Sequence, residues 1–341
     1  MQQQNAVSPS YVTAELQARE HWASHAFIEA ATSARSAAEI ALNAGDAESW
    51  WSMTFFQAES LLAAGLFEEC ADVAGVLISQ PRHSGERMQA RVRILLSKAW
   101  QGAGLLEKAA EEAMAAANLM AGDSDDEVSV TASLALIAAL GESGRLDEAW
   151  TESLNLASVI SPEVDEQLLG NVYWAIGNVA FLSSRVDEGL RFHDLAAGTL
   201  SPGRNLEVWA RFNNASAAMR LAADVADSAT LRCIERAELA TDVIGGSEEN
   251  VLLQKLNRGH WNFLAGDPAA AVQLLDDVCE REDVLQPHTL GEACLLLGRA
   301  QKALGDGPTA DRNLLKAAIY FEAAGAKQRA DQAREYLIAE F

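Results

Sequence analysis

The sequence predicts an all-α protein, an α-solenoid of about eight antiparallel helix pairs closed by one further helix. Three observations lead to this fold class. Short turn-forming segments recur every 39 to 43 residues, with two segments of helical length and periodicity between successive turns. Alanine is abundant and aromatic residues make up only 6%, which suits close helix packing better than a β-sandwich. No proline interrupts a predicted helix.

The turns divide the chain into helix pairs. They begin at Gly65, Gly104, Gly144, Ser184, Ala223, Gly266 and Gly305. One period earlier, a degenerate first pair is expected over residues 9–25 and 28–43, and residues 327–341 have the apolar spacing of a closing amphipathic helix. We therefore expect a single domain over residues 1–341, with an N-terminal cap at 1–25 and a capping helix at 326–341.

Prolines and small residues mark the helix starts and the contacts within a pair. A capping side chain precedes a proline at the first helical position in Ser8-Pro9, Ser161-Pro162, Ser201-Pro202 and Asp267-Pro268, while Pro81, Pro287 and Pro308 open or precede helices. Small residues are expected to face the partner helix at Cys70, Ala109, Ala149, Gly189, Ser228, Ala271 and Ala310, opposite Ala58, Ser97, Gly177, Ser216, Gly259 and Gly298. Ile137 is the one large residue in the second series.

The segment Leu295-Leu296-Leu297-Gly298-Arg299-Ala300, followed by Ala310, resembles the tetratricopeptide repeat, which pairs a Leu-Gly dipeptide in the first helix with an alanine in the second. The resemblance extends from about Ser8 to Phe341, although the period exceeds 34 residues and the aromatic residue of the signature is mostly absent. It implies a right-handed superhelix whose first helices line a concave groove.

Composition and motifs argue against several function classes. The chain has 26 basic and 49 acidic residues, a net charge of -23, which repels nucleic acid and anionic membranes. No stretch reaches the roughly 20 apolar residues of a membrane span, and no basic, apolar leader opens the chain, so we expect a cytoplasmic protein. GxGxxG, P-loop, GxSxG and HExxH motifs are absent, and we expect no enzyme and no cofactor.

Two metal hypotheses and the cysteines have simpler alternatives. His21 and His25 with Glu29 share a helix face that could hold zinc, but three ligands on one exposed helix lack closure. The acidic run at 122–127 lacks the glycine and glutamate of a calcium loop and suits a helix N-terminus. The four cysteines form no CxxC pair, which favours buried free thiols over two disulfides in an oxidising compartment. We expect no metal site.

Charged and amide side chains suggest where a partner binds. Basic residues concentrate in first helices, for example Arg87, Arg91, Arg93 and Lys98, whereas second helices are acidic, so the groove suits an acidic partner or a C-terminal carboxylate. Amides that can bind an extended backbone accumulate in three successive first helices, although each can instead cap or bridge helices. The predicted site is Asn171, Trp174, Asn178, Asn213, Asn214, Arg220, His260, Arg299 and Lys302. Trp50, Trp51, Trp100 and Trp150 are assigned to packing.

Two functions follow from these observations. The first is a non-enzymatic interaction module that holds a protein segment or short peptide in its groove. The second rests on a resemblance to the sensor regions of bacterial helix-turn-helix and maltose-regulator-type transcription regulators, with the DNA-binding module absent from this sequence. In both cases Asn178→Ala with Asn213→Ala is expected to weaken binding without loss of helical circular dichroism. Pairing into a homodimer stays open, because no heptad seam marks a dimer helix.

Overall fold

The computed structural model describes residues 8–80, 85–121, 127–161 and 164–338, and in these ranges the chain is helical with no strand. The helices are α1 (Pro9–Ala23), α2 (Phe27–Asn43), α3 (Ala47–Ala63), α4 (Phe67–Ile78), α5 (Glu86–Gly102), α6 (Leu106–Leu119), α7 (Glu127–Glu142), α8 (Leu146–Val159), α9 (Glu166–Leu182), α10 (Val186–Thr199), α11 (Leu206–Ala222), α12 (Ser228–Ile244), α13 (Glu248–Leu264), α14 (Pro268–Cys279), α15 (Pro287–Ala303), α16 (Gly307–Ala323) and α17 (Lys327–Ile338). Eight successive pairs and a closing helix confirm the predicted fold class.

The turn inside each pair contains one residue in the left-handed backbone region. These residues are His25, Gly65, Gly104, Gly144, Ser184, Asp224, Gly266 and Gly305, with φ between 57° and 87°. At Gly104, whose φ is 74°, the following Leu105 amide donates to the Trp100 carbonyl at 2.8 Å and closes the end of α5. From the sequence, the turn between α11 and α12 is expected to begin at Ala223. Its left-handed residue is Asp224, one position later.

Prolines stand in the first turn of four described helices, α1, α14, α15 and α16, as their spacing predicts. The expectation for Pro202 is wrong, because this residue lies in a turn and α11 begins only at Leu206. There the Asn205 side chain accepts a hydrogen bond from the Val208 amide at 2.9 Å and caps the helix. Pro81 and Pro162 lie outside the described residues.

Contacts divide the chain into two compact units, Met1–Ser183 with α1 to α9 and Ser184–Phe341 with α10 to α17. Within each unit, helices that follow one another pack together. The core of unit 1 is rich in alanine and includes Trp51, Met53 and Phe55, whereas the core of unit 2 includes Leu295 and Phe321.

Small residues permit close approach within a pair. A Cβ atom on Gly298 of α15 would lie 2.7 Å from Leu314 Cγ and 3.1 Å from the Ala310 carbonyl oxygen on α16, so only glycine fits there without displacement. The prediction for α12 is wrong by two positions. Ser228 is exposed, and Thr230 is the fully buried residue near the start of that helix.

Neighbouring pairs contact each other through a second helix and the first helix that follows it, and also through successive first helices. In unit 1, α3 contacts α5, α5 contacts α7 and α7 contacts α9, while in unit 2 α11 contacts α13 and α13 contacts α15. No contact of similar extent joins two second helices in the described part of the chain. The first helices of each unit therefore form a continuous layer, and we call the exposed side of this layer the first-helix face.

The cysteines agree with the free-thiol alternative. Cys70, Cys233, Cys279 and Cys294 are buried and unbridged, and burial raises the pKa of Cys70 to about 12, which suits a structural thiol. Over the described ranges, none of the helices has the length and apolar character needed to cross a membrane.

Candidate functional site

The three predicted site residues of unit 1 lie on α9. Asn171, Trp174 and Asn178 are half-buried along this first helix, at spacings of three and four residues. Spacings of this kind place side chains on one side of a helix. The predicted arrangement on one helix is therefore present, while the other six predicted residues belong to unit 2.

The amides of unit 2 are engaged in bonds inside the fold. Asn213 of α11 is fully buried and donates to the Trp209 carbonyl at 2.7 Å, one turn earlier in the same helix. Asn214 is half-buried, and its side-chain oxygen accepts from the Asn257 amide at 2.8 Å, which bridges α11 and α13. This bridging role is the alternative that sequence reasoning left open for these residues.

Arg220 is also an internal residue. Its side chain is 3% exposed, and Nη2 donates to Asp194 Oδ1 at 2.5 Å, joining the end of α11 to α10. Lys302 has a similar internal role in α15, where its ammonium donates to the Tyr336 and Leu337 carbonyls at the end of α17. A cation at a helix C-terminus satisfies carbonyls that have no partner within the helix.

His260 and Arg299 meet on the first-helix face of unit 2. Burial lowers the pKa of His260 to about 4, and the positive charges of Arg299 and Arg329 act in the same direction. The Arg299 guanidinium carbon lies 4.8 Å from the Phe263 ring centroid and 5.0 Å from that of Tyr336. Two aromatic rings thus hold this cation in place.

Unit 1 contains two adjoining cavities on its first-helix face. The first, of about 680 Å³, lies among α1, α3 and α5, and the second, of about 420 Å³, lies among α3, α5 and α7. Phe55, Glu59 and Arg91 line both cavities. The two cavities therefore form one groove lined by four successive first helices, α1, α3, α5 and α7, and we call it the unit 1 groove.

The floor of the first cavity is aromatic. The rings of Trp51 and Phe55 stack with centroids 5.3 Å apart and an interplanar angle of 7°, and both residues are 6% exposed. Phe56 and Met88 add half-buried apolar surface to the same cavity. The indole Nε1 of Trp51 is buried without a hydrogen-bond partner among the described residues.

Cations of α5 line the second cavity. Arg87, Arg91 and Lys98 stand there, and the Arg91 guanidinium carbon lies 4.7 Å from the centroid of the Phe55 ring. No carboxylate oxygen of the described residues lies within 4.0 Å of the Arg91 nitrogens. Arg93 of the same helix, in contrast, forms an ion pair with Glu112 of α6 at 2.6 Å.

Glu59 is the acidic residue at the junction of the two cavities. Burial raises the pKa of its carboxyl group, and the nearby charges of Arg91 and Lys98 partly oppose this rise. The groove therefore contains a carboxyl group whose ionised form is disfavoured by burial and partly favoured by the neighbouring cations.

Comparison with known proteins gives similarity at the level of the fold. No family model and no curated protein sequence matches the chain. A crystal structure of the APC/C hetero-tetramer Cut9-Hcn1 superposes with a TM-score of 0.61 at 12% identity, covering 94% of this chain and 54% of that one. A tetratricopeptide repeat protein from Parabacteroides merdae matches with a TM-score of 0.48 at 11% identity, over 96% of this chain and 100% of its own.

The chain has a tetratricopeptide-like fold. It spans about half the length of the Cut9-Hcn1 chain that it matches. In each unit every pair contacts the next one, as expected of stacked helical repeats.

Sequence reasoning missed the aromatic floor of this tetratricopeptide-like groove. Trp51, Phe55 and Glu59 are spaced by four residues and lie on one side of α3, a first helix. Arg87, Arg91 and Lys98 follow the same periodicity on α5. The sequence therefore contains the periodicity that places these residues on one side of each helix. Tryptophans at helical spacing are usually part of a core, however, and for this reason the sequence predicts a packing role for Trp51.

The metal hypotheses gain no support from the geometry. Among the residues that the structure describes, no three His, Cys, Asp or Glu side chains are grouped so that they could hold a metal ion. His25 occupies the turn after α1 with a φ of 60°, and its ring packs edge-on against Phe27 at 5.6 Å. Residues 122–126 of the acidic run lie outside the described residues.

Proposed function

We propose that this protein is a non-enzymatic interaction module that binds a segment of another protein chain in the unit 1 groove. The observation that carries the proposal is the continuity of two cavities through Phe55, Glu59 and Arg91. Their volumes of about 680 and 420 Å³ fall within the range of roughly 300–1,000 Å³ typical of ligand sites. A groove that runs across several helices suits an extended segment better than a compact metabolite.

The lining residues support binding over catalysis. They provide aromatic rings, methionines, cations and carboxylates, but no histidine or cysteine lines either cavity in the described part of the chain. Nucleophilic catalysis needs a nucleophile, a base and a group that orients the base. The groove serves a scaffold and a sensor region equally well, because both bind a segment of protein chain.

A peptide-display selection tests the proposal. A random peptide library is selected on the full chain, and enriched peptides are then measured against Ser52→Trp and Thr131→Trp. Ser52 is exposed at the first cavity and Thr131 is half-exposed at the second, so an indole at either position fills groove volume without disturbing the core. We expect each variant to lose most of the binding, about tenfold or more.

Thr151→Trp is the matched control. The Thr131 hydroxyl donates to the Glu127 carbonyl at 2.7 Å, and the Thr151 hydroxyl makes the same bond to Asp147 at 2.9 Å. Thr151, however, is exposed on α8, a second helix, and should tolerate tryptophan with unchanged peptide affinity. Peptides that bind the two groove variants as well as wild type, or a selection without enrichment, would overturn the proposal.

The predicted amide site is tested in the same assay. Asn178→Ala and Asn213→Ala are measured with the enriched peptides and with helical circular dichroism as a folding control. Because Asn213 is fully buried, its replacement is expected to act on stability as well as on binding. A loss of affinity in Asn178→Ala alone, with intact helix content, would extend the binding surface to α9.

A further inference from the structure

We propose that the unit 1 groove selects a segment that carries an apolar side chain and, two or three residues away, an acidic side chain. This inference rests on the proposed function and adds the chemistry of the partner. The apolar side chain would occupy the first cavity, above the stacked rings of Trp51 and Phe55, and the acidic side chain would lie against Arg91 in the second.

The two cavities differ in character in a way that assigns these roles. The first is lined by three aromatic rings and two methionines, and its two cations, Arg19 and Arg91, are matched by Glu48 and Glu59. Among the described residues, three cations and two acids line the second cavity, in a chain whose net charge is -23. A local excess of positive charge in a strongly acidic protein favours an acid specifically at that position.

Arg91 and Arg93, two cations of the same helix, differ in whether their charge is used to join helices. Arg93 is bound to Glu112 of α6 at 2.6 Å, and this pair is three-quarters buried on both sides. Arg91 is exposed in the groove, and only the Phe55 ring, not a carboxylate, holds its guanidinium in place. A guanidinium positioned by a ring keeps its nitrogens available for a carboxylate, to which it can donate two parallel hydrogen bonds.

The spacing of the partner's side chains follows from the helix spacing. The first cavity is centred on α3 and the second on α5, and packed helices lie about 8–10 Å apart. An extended chain advances about 3.3 Å per residue, so side chains two or three residues apart reach both cavities.

Glu59 determines where the acid cannot lie. Its carboxyl group stands at the junction that both cavities share, and a partner carboxylate placed there would meet a like charge in a partly desolvated site. The acidic side chain of the partner is therefore expected to contact Arg91 from within the second cavity, away from the Glu59 carboxyl group.

The test uses a random peptide display library and then a synthetic peptide of the enriched sequence. We expect enriched peptides to share an apolar residue and an acid two or three positions apart. Changing the acid to its amide, or the apolar residue to alanine, should each weaken binding about tenfold. The affinity of the acidic peptide, but not of the amide peptide, should fall as salt is raised.

A double-mutant cycle locates the acid. Arg91→Gln should weaken the acidic peptide about tenfold and leave the amide peptide unchanged, since both changes remove the same contact. Arg93→Gln is the matched control on the same helix, and it should change neither affinity once folding is verified by circular dichroism.

The outcomes separate the inference from the proposed function. Peptides that depend on Ser52 and Thr131 but carry no acid, or whose acid is insensitive to Arg91→Gln, would refute the inference and leave the proposed function standing. Absence of any peptide that depends on these two positions would refute both.

Discussion

The first-helix faces of the two units use their basic residues differently. In unit 1, Arg91 stands exposed at a cavity with no described carboxylate in ion-pair distance. In unit 2, Arg258 of α13 forms two hydrogen bonds with Glu238 of α12, and Arg220 of α11 is buried against Asp194 of α10. By our proposal, Arg91 of unit 1 thus serves binding, whereas Arg258 and Arg220 of unit 2, like Arg93 of unit 1, hold helices together.

The comparison shows why charge distribution alone did not locate a site. When charges are counted from the sequence, a cation on a first helix is counted in the same way whether or not a second helix provides an acidic partner. Paired and unpaired cations differ in what the neighbouring helix places beside them. Glu238 of α12 lies opposite Arg258, whereas Arg91 of α5 lies beside cavities that have room for a partner. Exposed pairs contribute little energy, but a buried one is costly to break.

The largest expected effect concerns the two arginines themselves. Arg220→Gln should lower the free energy of unfolding by about 2–3 kcal/mol, because a buried, paired guanidinium is replaced by an amide that cannot reach Asp194. Arg91→Gln should change it by no more than about 0.5 kcal/mol. Urea unfolding followed by circular dichroism measures both.

The exposure of Asp194 sets the size of this effect. Its side chain is 66% exposed, so the carboxylate left behind by Arg220→Gln stays hydrated and the loss falls below that of a fully buried pair. Equal destabilisation by the two variants would show that the faces do not differ as described. A reversed order would assign Arg91 to the structure of unit 1 and remove it from the proposed site.

A second, smaller difference is expected in how Gly298 of α15 and Ser97 of α5, which occupy equivalent positions of two first helices, tolerate alanine. Gly298→Ala in unit 2 should destabilise the protein by about 1–3 kcal/mol, because the new methyl group meets Leu314 and the Ala310 carbonyl of α16. Ser97 occupies the same position in unit 1, seven residues before the turn, and is fully buried with a hydroxyl that has no described partner. Ser97→Ala should therefore be neutral or stabilise by up to about 1 kcal/mol.

The same urea unfolding experiments measure this pair of variants. Ser97→Gly is the control for backbone effects, since it removes the hydroxyl and also lowers helix propensity by about 1 kcal/mol. If Ser97→Ala destabilises as much as Gly298→Ala, the hydroxyl has a partner that the structure does not place.

The fold could be predicted from the sequence because it depends on local signals that repeat. Each pair requires a left-handed residue and a small residue facing its partner, and Gly65, Gly104 and Gly144 show the regular form. The errors occurred where the chain departs from the repeat. Near Asp224, α12 begins four residues after the left-handed residue and not two, and Thr230 is the buried residue near its start while Ser228 is exposed.

The candidate site was harder to predict, because contacts between helices decide it. The amides Asn213, Asn214 and Asn257 have the chemistry of a binding surface, but Asn213 bonds to its own helix and Asn257 bonds to Asn214 where α13 packs against α11. Trp51 has the spacing of a core residue, and it is indeed mostly buried while also lining a cavity. Sequence periodicity identifies the side of a helix but not what that side meets.

A further expected difference between the two faces is in pH dependence. His260 of unit 2 has a pKa lowered from its ordinary 6.5 to about 4, so between these values the unfolded chain binds a proton that the folded chain does not. Its contribution to stability is therefore lost as pH falls from about 6.5 to 4. Glu59 of unit 1 has a raised pKa, so its contribution is present below its ordinary 4.5 and is lost as pH rises through the folded pKa.

Difference curves against wild type isolate these two groups from the many other carboxyl groups that titrate. Urea midpoints are measured from pH 4 to 8. The stability of His260→Gln relative to wild type should increase toward the acidic end, and that of Glu59→Gln should increase toward the neutral end. NMR titration of the His260 ring provides a direct check, in which Arg299→Gln should raise its pKa by removing a nearby positive charge. If the two difference curves have parallel slopes, the pKa of Glu59 in unit 1 and the pKa of His260 in unit 2 are not shifted in opposite directions.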